Sequence, residues 1–367
     1  MMRTYELASI LSLGVVACAA PPPSKARTVG ETTLNVAAAA TASVTAAPRD
    51  KESGDVKPNA GAPNVITISA VGDCSIGDLH YGAGAPGSFA AEIAKAEAPM
   101  DYAFANVRKI FEYDDLTIAN LEGTFTERKA WKNPVFSIRG NPEHARMLPR
   151  AGVELVDVYN NHSFDYGPEG HEDTKSALKA AGVGYFGKGV VDRREVKGMK
   201  VVSLGYLGGP EATMKQMLRD VERERGDRTI VIVSFHWGVE AFYATHPDQV
   251  RLGRAAIDAG ANLVLGHHPH VLQGIETYKE RHIVYSLGNF VFGANSQPKD
   301  MDSIIYQERF HIADGSVARV ENSIIPVSIS SSENRNDFRP RVLDGDEARR
   351  VRDKVADLSK KLPKHGR

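Results

Sequence analysis

The sequence predicts an α/β fold. Apolar runs of strand length recur along its middle, and helical stretches ending on glycine lie between them. The polar residues able to carry chemistry gather where the apolar runs end, as they do when ligands sit outside the carboxyl ends of strands.

The chain has 367 residues and a formal net charge of −1. That length holds one large domain or two modest ones. Lys and Arg are spread without a basic stripe, which excludes nucleic acid as a partner. The two cysteines, Cys18 and Cys74, exclude a disulfide framework and any zinc site built on several thiolates.

The opening "MMRTYELASILSLGVVACAAPPP" has Arg3, an apolar segment from Leu7 to Val16, and Val-Val-Ala before Cys18. This segment is short for a spanning helix and suits a signal-peptide core. The small residue before Cys18 is similar to a bacterial lipobox, which would make residues 1–18 a signal peptide and Cys18 a lipidated anchor; an ordinary cleaved signal peptide is the alternative. Residues 19–63 are rich in Ala, Pro, Thr and Ser and read as a disordered tether, reaching roughly 35–40 Å as a flexible coil.

Order is expected from residue 64. "NVITISAVGD" alternates as a strand and ends in a turn. "DLTIAN", "VELVDVYN", "MKVVSLGYL", "TIVIVSFHWG" and "ANLVLGH" follow as strands, the last running from Asn262 to Leu265 and stopped by Gly266. "NPEHARMLPRAG", "EGHEDTKSALKAAG" and "HPDQVRLGRAAIDAG" read as helices closing on glycine. Then "HIVYSLGNFVFG", "SIIYQERFHI" and "VARVENSIIPVSI" are strands without helices between them, which a second, antiparallel sheet accommodates. The folded domain is assigned to 64–330, and 331–367 is a C-terminal extension whose helical pattern after Asp346 makes a surface helix.

The polar clusters are Asp73 in "VGDCSIGD", Asn120 and Glu122 in "ANLEGTF", Asn160, Asn161, His162 and Asp165 in "YNNHSFDYG", His236 and Glu240 in "SFHWGVE", and His267, His268 and His270 in "GHHPH". Carboxylate, amide oxygen and imidazole without thiolate suit Mn, Fe or Zn at a hydrolytic site. One or two such divalent ions are expected as the cofactor, paired ions clamping the oxygens of a displacement. Arg139 suits a carboxylate or phosphate oxygen, and Glu240 suits orientation of His236. Asn289 reads as a turn residue, His246 and His282 as surface positions, and Cys74 as a small buried residue.

These motifs, with "FSIRGNPEHARML" and "VYSLGNFVFG", resemble the series found in CapA-type poly-gamma-glutamate biosynthesis proteins, of the calcineurin-like metallophosphoesterase superfamily. The resemblance spans roughly residues 66–330. It implies a four-layer αββα sandwich, two mixed sheets flanked by helices, with a dinuclear site at the strand ends. It further implies Asp73, Glu122, Asn161, His236, His268 and His270 as metal ligands and His162 as the catalytic acid. Asn120, Arg139, Asn160, Asp165, Glu240 and His267 then line the substrate or support the ligands. Two departures stand out: Ser75 replaces the histidine of the first Asp-x-His motif, and Glu122 stands for a bridging aspartate.

The expected function is a membrane-tethered hydrolase-like protein acting on an anionic extracellular polymer, beside membrane-embedded synthesis or export proteins. A non-catalytic assembly component with a remodelled site is the alternative. A phosphodiesterase or phosphatase ranks third, by fold analogy alone.

Overall fold

The computed structural model describes residues 64–130, 135–209 and 211–364. Cys18, the signal segment 1–18 and the tether 19–63 lie outside them. In chain order the first half forms β1 (Val65–Ser75), β2 (Asp78–Leu79), α1 (Phe89–Ile93), α2 (Arg108–Phe111), β3 (Leu116–Leu121), β4 (Thr124–Phe125), β5 (Ile138–Gly140), α3 (Met147–Ala151), β6 (Leu155–Asp157), α4 (Gly167–Ala180) and β7 (Gly184–Phe186). The next part is β8 (Asp192–Val196), β9 (Met199–Leu207), α5 (Glu211–Glu224), β10 (Thr229–His236), α6 (Pro247–Ala259) and β11 (Leu263–His267). It closes with β12 (Ile275–Tyr278), β13 (Arg281–Val284), β14 (Asn289–Phe292), β15 (Asp302–Ala313), β16 (Ser316–Ser328), β17 (Arg341–Val342) and α7 (Gly345–Lys360).

These elements make a mixed α/β architecture with two principal sheets. One has the order β17-β16-β15-β1-β3-β6-β7, with β14 also on β1; the other has the order β12-β13-β11-β10-β9-β8. A small sheet, β2-β5-β4, stands beside them. The last strands therefore build no separate antiparallel sheet. β13 joins β11 in parallel, while β15 pairs antiparallel with the first half of β1 and β16 with β15. The turn at Tyr285–Gly288 carries the chain from one sheet to the other, and β14 then pairs with the end of β1. The edge of β1 is shared between two partners.

An apolar core common to both sheets contains Ile68, Ile118 and Leu155 from one and Val201, Ile232 and Leu265 from the other. The opposite faces pack on helices, through Phe89, Met147 and Leu178 for one sheet and Met217, Val221 and Ala256 for the other. Burying one such large side chain contributes about 1.5–3 kcal/mol. Segment 331–360 joins these cores: Phe338 is fully buried, and Ala348, Val351 and Val355 of α7 pack into the shared core. The expected surface helix thus has one buried face, and it begins at Gly345, one residue before Asp346.

The shared core changes character along the strands, and this positions the site. Side chains alternate with period two, so one face of each strand can be followed residue by residue. Toward the carboxyl ends, Leu116 and Ile118 give way to Asn120, Leu155 to Asp157, Ile230 and Ile232 to Ser234 and His236, and Leu263 and Leu265 to His267. Strand β1 needs a correction to join this face, because strict alternation from Ile66 would turn Asp73 toward the helices. A register irregularity between Ala70 and Asp73 shifts the parity. Asp73 then faces the other sheet and Cys74 packs on the helical side.

Candidate metal centre

The strand ends set out two rows. Asn289, Asp73, Asn120 and Asp157 are consecutive cross-strand partners in the first sheet, and His236 and His267 are paired in the second. The gathering comes from two sheets facing one another, where the sequence suggested one edge.

Gly72 and Gly288 make this meeting possible. A Cβ on Gly72 would lie 2.0 Å from the Gly288 carbonyl oxygen, and the Asp73 amide donates to that oxygen at 2.9 Å. Gly266 likewise lies within β11 and does not stop it; its Cβ would meet the Tyr285 carbonyl oxygen at 2.1 Å. The chain then enters a strained turn, with φ of 94° at His268 and 57° at His270. A left-handed conformation at such side chains costs about 1–3 kcal/mol and marks a site whose surroundings hold it. Here the His268 amide donates to Asp73 Oδ2 at 3.2 Å, and the Ala241 amide donates to the Pro269 carbonyl at 2.8 Å.

Asp73 is fully buried. Its Oδ1 accepts from Asn120 Nδ2 at 2.8 Å and lies 3.4 Å from His267 Nδ1; its Oδ2 lies 3.1 Å from His270 Nδ1. Burial opposes its charge, but His267 and His270 outweigh it and hold the carboxyl well below the usual carboxylate range.

Glu122 occupies the centre. Its Oε1 is 3.6 Å from His270 Nε2, 3.7 Å from His236 Nε2 and 3.9 Å from His162 Nε2. Both carboxylate oxygens are buried without a hydrogen bond, and burial pushes the carboxyl up to about 7 against the pull of His270. For His270 burial opposes protonation, yet Glu122 and Asp73 push the imidazole up to about 10. Donor atoms of Glu122, His268 and His270 lie within 4.8 Å of one another. A buried carboxylate with no hydrogen-bond donor, encircled by imidazole nitrogens, is an environment that favours a cation. The donor set fits a divalent metal ion.

The histidines are aimed by polar neighbours. His270 Nδ1 is 2.9 Å from Asn289 Oδ1, and Asn289 Nδ2 donates to the His270 carbonyl at 3.1 Å, which leaves Nε2 toward Glu122. Asn289 is therefore a buried residue of the site and not a turn residue. It lay beyond sequence reasoning because only the sheet crossover brings it beside Asp73. His236 Nε2 lies 2.7 Å from Asn161 Oδ1, and its Nδ1 3.4 Å from Asn120 Nδ2. These amides orient His236, whereas exposed Glu240 lines the cleft instead. Burial holds His236 well below its ordinary range, and it lowers His268 too.

Asn160 anchors the loop after β6. Its Nδ2 donates to Asn120 Oδ1 at 3.1 Å and to the Leu121 carbonyl at 2.8 Å, and its Oδ1 accepts from the His162 amide at 3.1 Å. His162 Nδ1 lies 2.8 Å from Asp165 Oδ2, which also accepts from the Ile138 amide at 2.8 Å. Burial opposes protonation of His162, but the Asp165 hydrogen bond and the charges of Glu122 and Asp165 together outweigh it and raise the imidazole. His162, Asn161, Glu122 and His270 open onto a cleft of about 710 Å³, which Tyr243 and Lys299 also line.

Other expected residues stand elsewhere. Arg139 follows Ile138 in β5 and so points to the opposite side of that strand, into a different cleft. His282 is buried, not exposed, because its Nδ1 lies 2.9 Å from both oxygens of buried Glu308. His246 caps α6. Cys74 is fully buried and its thiol is pushed up to about 12, first by burial. Ser75 Oγ is buried without a hydrogen-bond partner among the described residues. No helix among those residues is long and apolar enough to cross a membrane.

Comparison with known proteins places this geometry in a family. The model of the bacterial capsule synthesis protein PGA_cap matches residues 67–294. The chain is similar to the capsule biosynthesis protein CapA of Bacillus anthracis, at 31% identity over 62% of each chain. It is similar to the PGA biosynthesis protein CapA of Bacillus subtilis at 29% identity over 72% of each. A probable polyglutamine synthesis accessory protein of Mycobacterium tuberculosis is 29% identical over 48% of this chain and 55% of that protein. The chain thus spans less than two thirds of the Bacillus anthracis and Mycobacterium tuberculosis relatives. It belongs to the bacterial capsule synthesis protein PGA_cap family.

Proposed function

We propose that this chain is an exported, membrane-tethered accessory protein of capsule polymer synthesis, with a metal-dependent hydrolase-type site of metallophosphoesterase layering. Its ligand would be a poly-gamma-glutamate-like anionic polymer, handed over by membrane-embedded synthesis or export proteins. The names of the Bacillus and Mycobacterium relatives support the polymer class. Cys18 would carry the lipid anchor and residues 19–63 the tether.

The observation that carries the reading is the Glu122 carboxylate, buried without a hydrogen bond among imidazoles of His162, His236 and His270. Glu122, His268 and His270 would hold the ion, with Asp73, Asn161 and His236 completing one or two coordination shells. Bound Mn, Fe or Zn supplies Lewis acidity toward an amide or ester carbonyl. His162 holds a proton on the cleft side of the ring while Asp165 fixes the other nitrogen, which suits protonation of a leaving group. Lys299 at the rim attracts the polymer's carboxylates.

The test is incubation of purified protein, supplied with Mn, Fe(II) or Zn, with gamma-linked polyglutamate of defined size. Shortening of the polymer, abolished by His162→Ala with metal content retained, is the expected result. Metal-loaded protein that binds the polymer without shortening it would favour a non-catalytic role. Ser75, a buried hydroxyl where the first-motif histidine would stand, is the observation on that side.

A further inference from the structure

The short strand β5 separates two clefts. Ile138 faces the metal centre, and Arg139 faces a second cleft of about 450 Å³ on the other side. Nothing in the polymer reading uses this second cleft.

Its walls carry opposite charges. Arg139 lies over the Tyr166 ring, 5.6 Å from its centroid, and Nη1 donates to the Arg128 carbonyl at 2.8 Å. Its remaining guanidinium nitrogens have no hydrogen bond among the described residues. Asn141 accepts the Glu143 amide on Oδ1 at 2.9 Å, which leaves its Nδ2 donor available. His144 lines the same cleft, and its Nδ1 is buried without a well-formed hydrogen bond. Exposed Glu127 stands on the rim with no ion pair among the described residues. Asp78 is also present, but its oxygens are committed to the Phe89 and Ala90 amides at 2.6 and 3.1 Å.

A plain anion would meet Glu127, and a plain cation would meet Arg139. A ligand bearing both charges satisfies each wall, and the volume lies within the usual range for small-molecule sites. We propose that this cleft binds an α-amino-acid zwitterion, its carboxylate on Arg139 and Asn141 and its ammonium toward Glu127. A planar guanidinium grips a carboxylate through paired hydrogen bonds, and the Tyr166 ring beneath it limits its motion. The inference rests on neither the metal nor the polymer.

The test is isothermal titration of the full chain with L-glutamate as probe, and with two controls: glutarate, which lacks the ammonium, and n-butylamine, which lacks the carboxylates. Saturable binding of glutamate is expected, at least about tenfold tighter than either control, since charge-assisted contacts are the stronger class. Arg139→Met should weaken it by about tenfold or more for the same reason. Glu127→Gln, at an exposed position that spares the fold, should erase the preference over glutarate. Glu122→Gln at the metal centre should leave glutamate binding unchanged. Absence of saturable binding, or binding indifferent to both Arg139→Met and Glu127→Gln, overturns the proposal. Loss of binding in Glu122→Gln overturns it too, by assigning the ligand to the metal cleft.

Discussion

Asp157 sits in the same row as Asp73 and Asn120 of the candidate metal centre, and replacing it by Asn tests how the two sheets enclose polar groups there. Its side chain is 1% exposed. Oδ1 accepts from the Tyr159 amide at 2.9 Å, while Oδ2 has no well-formed hydrogen bond. Gly205 lies so close that a Cβ there would come within 2.6 Å of Oδ1. Burial pushes the carboxyl from 3.8 to about 7, against the opposing influence of Ser234 and the Tyr159 amide. Because the folded value is the higher one, the folded state binds the extra proton between these limits. Stability therefore falls as pH rises through that window. At about 1.36 kcal/mol per pH unit, the cost is about 1–2 kcal/mol at pH 5 and about 4 kcal/mol at pH 8. Asp157→Asn keeps an acceptor for the Tyr159 amide and has no charge to bury. Urea unfolding of both proteins in chelator, at pH 5 and pH 8, should show wild type losing about 2–3 kcal/mol more than the variant between the two pH values. Titrating groups that do not interact with Asp157 cancel in that comparison. Parallel pH profiles would mean that Asp157 ionises freely, and the burial argument would fail.

Three further outcomes follow from packing. Gly266→Ala would drive a methyl against the Tyr285 carbonyl and Trp237 Nε1, at 2.1 and 2.6 Å, so a loss of about 2 kcal/mol or more is expected in thermal unfolding. A change within about 0.5 kcal/mol would contradict the close approach. Cys74 should resist iodoacetamide in the native protein and react only in denaturant, because burial keeps it a thiol with a value near about 12; labelling followed by mass spectrometry decides it. His282→Ala should cost about 1–3 kcal/mol, since the buried Glu308 carboxylate loses its imidazole partner and keeps the Tyr306 hydroxyl, while leaving metal content untouched.

The strands and most helices were legible because period-two and helical patterning record which face is buried. The polar residues at the strand ends were legible for the same reason: an apolar strand that ends in Asn120, His236 or His267 breaks its own pattern, although Asp157, inside the strand "VELVDVYN", went unread. Less accessible was whatever depends on long-range pairing. Asn289 belongs to the site only because β14 returns to β1. Arg139 left the site because alternation in the three-residue strand β5 sends it away from Ile138. His282 looked like a surface residue because Glu308, its partner, is 26 positions away in sequence. Helix α5 went unread, its Met217 and Val221 spaced among charged residues of its exposed side.

The central claim is that Glu122 and the histidines around it hold a divalent ion. Elemental analysis of protein grown and purified with Mn, Fe and Zn supplied, comparing wild type with Glu122→Gln and His268→Ala, tests it most directly. The account predicts at least one equivalent of metal per chain in wild type and a sharp loss in both variants, with folding retained. Metal-free wild type, or metal content indifferent to both substitutions, would contradict it.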